Sequence, residues 1–231
     1  MAPKEIFPNV FEHSLGMVNV WFIVDPDGVT LIDTGYAQSE QKIAAGLAAI
    51  GKTPADVKRI LVTHCHPDHA GSLAALQQIS TTPAYMHPSD ASVVRGQSPM
   101  HKGTPSPGLL SQILYRMLIK NSLPEVPMAE VQHEIHDGDV LPISGGIRVI
   151  HTPGHSDGHV SLLLERDGGL LFAADACSNI GGLNYSIVYD DFAQGQHSLH
   201  KLAHTQFKAV AFGHGGALTN GAAEKFNRKW A

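Results

Sequence analysis

Apolar residues in this chain come in short blocks whose spacing changes from one block to the next. Met17–Val24 (MVNVWFIV) and Val29–Asp33 (VTLID) are β-branched and apolar, and the turn Asp25–Gly28 (DPDG) between them predicts a hairpin. Arg59–His64 (RILVTH) is a short continuous apolar run, the pattern of a strand buried on both faces. Ala84–His87, Ile147–Thr152, His159–Arg166, Leu170–Asp175 and Lys208–His214 read as further strands. Helical spacing appears at Ser39–Ile50, through Ile43, Leu47 and Ile50, and again at Gly71–Ile79, Ser198–His204 and from Gly221 onward. HVSLLLER, RDGG and LLFAAD repeat the earlier order of strand, tight turn and strand ending in aspartate, which implies two similar halves.

Strands interleaved with helices in both halves predict two mixed β-sheets packed together with helices outside, a four-layer αββα sandwich. No Pro, Gly or Ser linker divides the sequence, so residues 1–231 read as one domain. One stretch differs. From Pro88 to Met128, Pro99, Pro105, Pro107, Pro124 and Pro127 punctuate a single apolar helix, Leu109–Ile119, and the segment reads as a lid insert at about 88–128. Its Leu110, Ile113, Leu114, Tyr115, Met117 and Leu118 are expected to wall a substrate site. Contact with a second copy, making a homodimer, is the alternative use.

Composition narrows the function. Apolar residues make up 43% and charged residues 16%, enough for a sizeable core. A net charge of -5 without a Lys/Arg cluster speaks against a nucleic-acid partner. Two cysteines, Cys65 and Cys177, make no disulfide framework. Neither the start MAPKEIFPNVF nor any later stretch reads as a signal or membrane span, so a cytoplasmic protein without a membrane partner is expected. Fifteen histidines are many for this length, and imidazole is the commonest metal ligand.

Their placement points to chemistry. THCHPDHAG puts His64, His66, Asp68 and His69 within six residues, just after a predicted buried strand, where α/β sheets place ligand sites. In an extended chain His64, His66 and Asp68 would share one side while Cys65 and Pro67 turn away. His155 in TPGHS, Asp175 after LLFAA and His214 in FGHG each lie at or just beyond the end of a predicted strand, able to face the same cleft. His13, His87, His101, His133, His136, His151, His159, His197, His200 and His204 match no such position and read as ordinary surface or core residues. His151 and His159 flank the TPGHS loop and are candidates for supporting a ligand from behind.

HxHxDH, TPGHS, the aspartate after an apolar strand, FGHG and the early LIDTG together resemble the metallo-β-lactamase fold superfamily over residues 18–215. The resemblance implies two divalent metal ions, zinc first, with iron, manganese or cobalt also compatible with these ligands. It places His64, His66 and His155 on the first, Asp68, His69 and His214 on the second, and Asp175 between them. Asp33 of LIDTG would orient the metal loop from behind. The implied activity is hydrolysis of a lactone, ester, thioester or amide by a water acidified between the metals, with Asp68 moving the proton. An apolar part of the acyl substrate would meet the lid.

Within that resemblance, no basic C-terminal extension like that of glyoxalase II follows His214, and lactonases, the nearest in size, carry a tyrosine where this chain has Ser178. Tyr36, Tyr185 and Tyr189 are the available substitutes, and a lactone is the leading substrate. The competing expectations are an iron-dependent thiol or persulfide oxygenase of the same fold and a binding module that keeps metal for structure alone.

Overall fold

A computed structural model describes residues 2–120 and 125–231, together with the backbone but not the side chains of Leu110 and Leu118. In chain order the elements are β1 (Lys4–Phe7), β2 (Val10–Ser14), β3 (Asn19–Asp25), β4 (Gly28–Ile32), α1 (Glu40–Ala49), β5 (Val57–Leu61), α2 (Pro67–Ala70), α3 (Leu73–Ile79), β6 (Ala84–Met86) and α4 (Pro88–Val94). They continue with β7 (Thr104–Pro105), α5 (Leu109–Leu118), β8 (His133–Glu134), β9 (Val140–Leu141), β10 (Ile147–His151), β11 (Val160–Leu164), β12 (Leu170–Ala174), β13 (Val188–Tyr189), α6 (Phe192–Ala203), β14 (Ala209–Phe212) and α7 (Ala222–Trp230). One sheet has seven strands in the order β1-β2-β3-β4-β5-β6-β8, the other five in the order β14-β12-β11-β10-β9. Both are mixed: β4, β5, β6 and β8 run parallel, as do β12 and β14, while the other pairs within these two sheets are antiparallel.

Successive side chains of a strand leave on opposite faces, and here both faces are apolar. Val20 and Phe22 of β3 pack outward with Leu31, Ile60 and the helix residues Ile43, Leu47, Leu73, Ala91 and Val94. Their neighbours Trp21 and Ile23 face inward and meet Leu162, Leu164, Phe172 and Ala211 of the second sheet. On the far side of that sheet Leu163, Leu171, Val210 and Phe212 are covered by Leu199 and Leu202 of α6 and by Phe226 and Trp230 of α7. Three apolar interlayers therefore separate four layers in the order αββα, as the double-sided strand blocks imply.

The internal echo is structural. β3, β4, α1 and β5 form a hairpin, a helical crossover and a parallel strand, and β11, β12, α6 and β14 repeat that path in the other sheet. β4 leads into Asp33 (φ 59), and β12 ends at Ala174 (φ 47), directly before Asp175. Left-handed backbone at a residue other than glycine is uncommon, and both instances turn the chain out of the sheet where a site aspartate begins.

Some boundaries differ from expectation. The N-terminal hairpin β1–β2, with only Ile6, Phe7 and Val10 buried among its apolar residues, lacks the long apolar run that marks a strand. α6 starts at Phe192 rather than near Ser198, because Asp191 caps it by accepting from the Gln194 amide. The segment beginning at Pro88 is not all lid: α4 packs Ala91 and Val94 into the outer core. Pro124 lies outside the described residues. Trp21 and Phe172 meet edge to face at 5.5 Å between the sheets. Replacing Phe172 with Ala should cost about 3–5 kcal/mol, read as a lowered urea midpoint with an unchanged slope.

Candidate metal centre

The seven expected side chains come from the same end of both sheets. β5 ends at Leu61, and extended chain carries His64 and His66 outward before Pro67 starts the single turn of α2. That turn changes one expectation: Asp68 does not continue the alternation of His64 and His66, because helical backbone swings it and His69 to the other side of the cluster. The arrangement that results has three groups whose ligand atoms lie within 4.8 Å of one another: His64, His66 and His155; His64, His69 and Asp175; and Asp68, His69 and His214. All seven residues expected to bind metal are brought together.

Hydrogen bonds from behind fix which imidazole nitrogens face the centre. His155 Nδ1 lies 2.9 Å from the Val188 carbonyl and His214 Nδ1 2.7 Å from the Met17 carbonyl. A carbonyl only accepts, so in each neutral ring Nδ1 carries the proton and Nε2 is a bare lone pair. Asp33 does the same for His69, whose Nδ1 is 2.8 Å from Oδ2. Thr63 donates its hydroxyl to Asp33 and is thereby left to accept from His64 Nδ1 at 3.0 Å. His66 presents Nδ1, 2.9 Å from His155 Nε2, so one proton must lie between two inward-facing nitrogens. His64 Nε2, His69 Nε2 and Asp175 Oδ1 are buried without any hydrogen-bond partner. Leaving such atoms unpaired is costly, and a cation among them would satisfy all three.

Asp175 touches both groups. Its Oδ1 lies 3.4 Å from His69 Nε2, and its Oδ2 lies 3.1 Å from His214 Nε2 and 3.5 Å from His155 Nε2. Gly213 makes room for it, since a Cβ there would overlap the Asp175 carboxylate. His159, fully buried, accepts from the Asp175 backbone amide through Nε2 at 3.2 Å and bonds Thr152 through Nδ1. It thus supports a site residue from behind, the alternative rather than the first reading of this histidine, whereas His151 stacks on His87 at 4.2 Å.

The sequence matches the metallo-beta-lactamase superfamily over residues 13–214. The chain belongs to that superfamily. It is accordingly a metallo-hydrolase. A probable metallo-hydrolase, YflN of Bacillus subtilis, is 31% identical over 183 residues, 76% of this chain and 66% of that protein. An N-acyl homoserine lactonase of Bacillus cereus is 30% identical over 141 residues, 59% of this chain and 45% of that one. A metallo-beta-lactamase of Cronobacter sakazakii with a HARLDQ motif has the same fold, with a TM-score of 0.73 at 24% identity over 93% of this chain and 81% of the other.

As in a metallo-hydrolase, the centre opens on a cleft, here of about 190 Å³, lined by His66, Asp68, His155, Asp175 and His214 together with Met17, Tyr36, Pro67, Lys102, Ile119, Ser178, Ile180, Ser186, Ile187 and Val188. The apolar wall is not the one expected. Ile113 and Met117 of α5 are 44% and 71% exposed, and Leu114 and Tyr115 do not line the cleft. Ile119 does, just beyond the helix. The side chains of Leu110 and Leu118 lie outside the described residues. Of the three tyrosines, Tyr36 lines the cleft, while the Tyr189 hydroxyl is buried and donates to the Ala176 carbonyl, and the Tyr185 hydroxyl accepts from Gln196. Burial, then Asp68 and Asp175, push the Tyr36 phenol up to about 12, so it stays a donor at neutral pH. Both cysteines are buried and absent from the cleft.

Sequence reasoning passed over Asp90. Fully enclosed at 2% exposure, it bonds the loops of His64–His66 and His155. An aspartate in the first turn of a helix ordinarily reads as a solvated charge complementing the helix dipole, and only the adjoining strand AYMH hinted otherwise.

Protonation of the superfamily centre without metal follows from its charges. Burial, with neighbouring imidazoles adding, pushes His64 and His155 down, His155 to about 3. Burial acts the same way on His69, but Asp175, Asp68 and Asp33 outweigh it and raise the imidazole to about 9. His214 is likewise raised against burial, chiefly by Asp175. Between about 3 and the ordinary 6.5 the unfolded chain binds more protons at His155, so stability rises with pH. Between 6.5 and about 9 the folded chain binds more at His69, so stability falls. Chelator-treated protein should show a maximum melting temperature near pH 6.5, dropping on both sides, and metal-loaded protein should lose the alkaline drop. A melting temperature that climbs steadily to pH 9 without metal would contradict the assignment.

Proposed function

We propose that this chain hydrolyses a neutral or modestly polar acyl substrate, a lactone first among lactones, esters, thioesters and amides, at a dinuclear centre. The observation that carries the reading is the set of inward lone pairs. His64, His69, His155 and His214 each give their outer proton to an acceptor behind them and present Nε2 to one another and to Asp175. In this reading His64, His66 and His155 hold one divalent cation, Asp68, His69 and His214 the other, and Asp175 both, with zinc the first expectation. Divalent cations held by these residues would acidify a water and polarise an acyl carbonyl.

The chain's own residues do the rest. Asp68 lines the cleft 3.3 Å from His214 Nε2 and is held below the ordinary carboxylate range, its histidine neighbours outweighing burial, so it is an ionised acceptor beside the reacting groups. From there it takes a proton and returns it to the leaving oxygen or nitrogen. Tyr36 supplies a neutral hydroxyl to a developing oxyanion, a role served in related lactonases by the tyrosine that Ser178 replaces here. Met17, Ile119, Ile180, Ile187 and Val188 receive the apolar part of the substrate. A lactone is placed first because a lactonase is among the relatives.

Purified protein should bind about two equivalents of zinc and release acid from an acyl-lactone and ester panel in a pH-stat. Asp68→Asn should weaken the metal held with His69 and His214 and, with both sites saturated by excess zinc, still lower kcat by about 10²–10⁴-fold, and Tyr36→Phe should lower kcat with little change in KM. One iron per chain with thiol-dependent oxygen uptake, or two metals with no turnover on any acyl substrate, would contradict the reading.

A further inference from the structure

We infer that Asp90 is a positioning residue that assembles the His64, His66 and His155 group and leaves the Asp68, His69 and His214 group alone. Its carboxylate joins two loops distant in sequence. Oδ2 accepts from the Cys65 backbone amide at 2.8 Å and from the Ser156 hydroxyl at 2.7 Å, and Oδ1 accepts from the Gly158 amide at 2.7 Å. Cys65 stands between His64 and His66, and Ser156 directly follows His155. One buried side chain therefore grips the neighbour of every imidazole in that group. Among the described residues no hydrogen bond links Asp90 to Asp68, His69 or His214; His69 is oriented by Asp33 and His214 by the Met17 carbonyl instead.

The grip is rigid at both ends. Asp90 sits on α4, whose Ala91 and Val94 are fully buried in the outer core, so the carboxylate is fixed to the sheet and not to a mobile loop. Gly158 must lack a side chain, because a Cβ would collide with Asp90 Oδ1 and with the Asp90 amide nitrogen. The ion itself is not a partner of Asp90; the residue acts only by holding imidazoles within reach of a shared point. This inference rests on the dinuclear reading, and deepens it by giving the His64, His66 and His155 group a support of its own beyond Asp33, which reaches His69 directly and His64 through Thr63.

Asp90→Asn is nearly isosteric but turns one accepting oxygen into a donor facing an N–H, while Ser156→Ala removes a single bond of the three. Both are to be loaded with cobalt(II) from the metal-free state, with metal content, visible spectrum and binding isotherm followed. The wild type should take two equivalents. Asp90→Asn should bind one equivalent unchanged and the other about 10–100-fold more weakly, losing one of the two sets of cobalt bands, with Ser156→Ala showing the same selectivity to a smaller degree. Two equivalents at wild-type affinity in Asp90→Asn, or equal weakening of both, would overturn the assignment. If Asp90→Asn does not fold, unchanged cobalt binding by Ser156→Ala overturns it. A wild-type chain taking up no cobalt would instead sink the dinuclear reading on which it rests.

Discussion

The fold has to hold five buried or half-buried imidazoles and two carboxylates within a few ångströms of one another. Lone pairs facing lone pairs repel, and unpartnered polar atoms lose their hydration without compensation. In the chain alone the conflict is met by protons: one lies between His66 and His155, and His69 and His214 are raised in basicity by Asp175 and its neighbours. Divalent cations satisfy the same atoms with more charge and more ligands. The outer bonds to Asp33, Thr63, Val188 and Met17 make the arrangement a chelator, because they fix each tautomer before any ligand arrives.

The architecture supplies that order cheaply. Two copies of one path, hairpin, helix and parallel strand, face each other across an apolar interlayer; in each the hairpin's second strand is followed by an aspartate just beyond the sheet, and the closing parallel strand leads to a site histidine. The outward turn of the chain at Asp33 and Ala174 uses left-handed backbone that the surrounding sheet must hold in place. Asp33 and Asp90 then play parallel roles from different elements. One orients His69 and, through Thr63, His64; the other draws the His64–His66 loop to the loop of His155.

Much of this was readable in the sequence because the signals were local. A hairpin with DPDG, apolar runs buried on both faces, and four ligand-type residues in six positions each declare themselves over a short window. The clustering of the seven side chains was legible since strand-end positions recur and HxHxDH constrains spacing. What the sequence withheld depended on distant partners. Asp90 looks like an ordinary helix-start carboxylate until residues 65, 156 and 158 are seen around it. The extended alternation through Asp68 failed because Pro67 opens a helical turn, a local preference that competed with the strand pattern and won. The α5 face was assigned to the cleft because its apolar stripe lies in an insert between the metal loops, a position in sequence that does not fix which neighbour the stripe meets; Ile119, beyond the helix, lines the cleft instead.

The account stands on two cations sharing one set of inward lone pairs, and anomalous diffraction from zinc-loaded crystals addresses that most directly. Two peaks are expected about 3.5–4 Å apart, one against His64 Nε2, His66 Nδ1 and His155 Nε2, the other against Asp68, His69 Nε2 and His214 Nε2, with Asp175 reaching both. A lone peak elsewhere on the surface, with these imidazoles still bonded to one another, would contradict it.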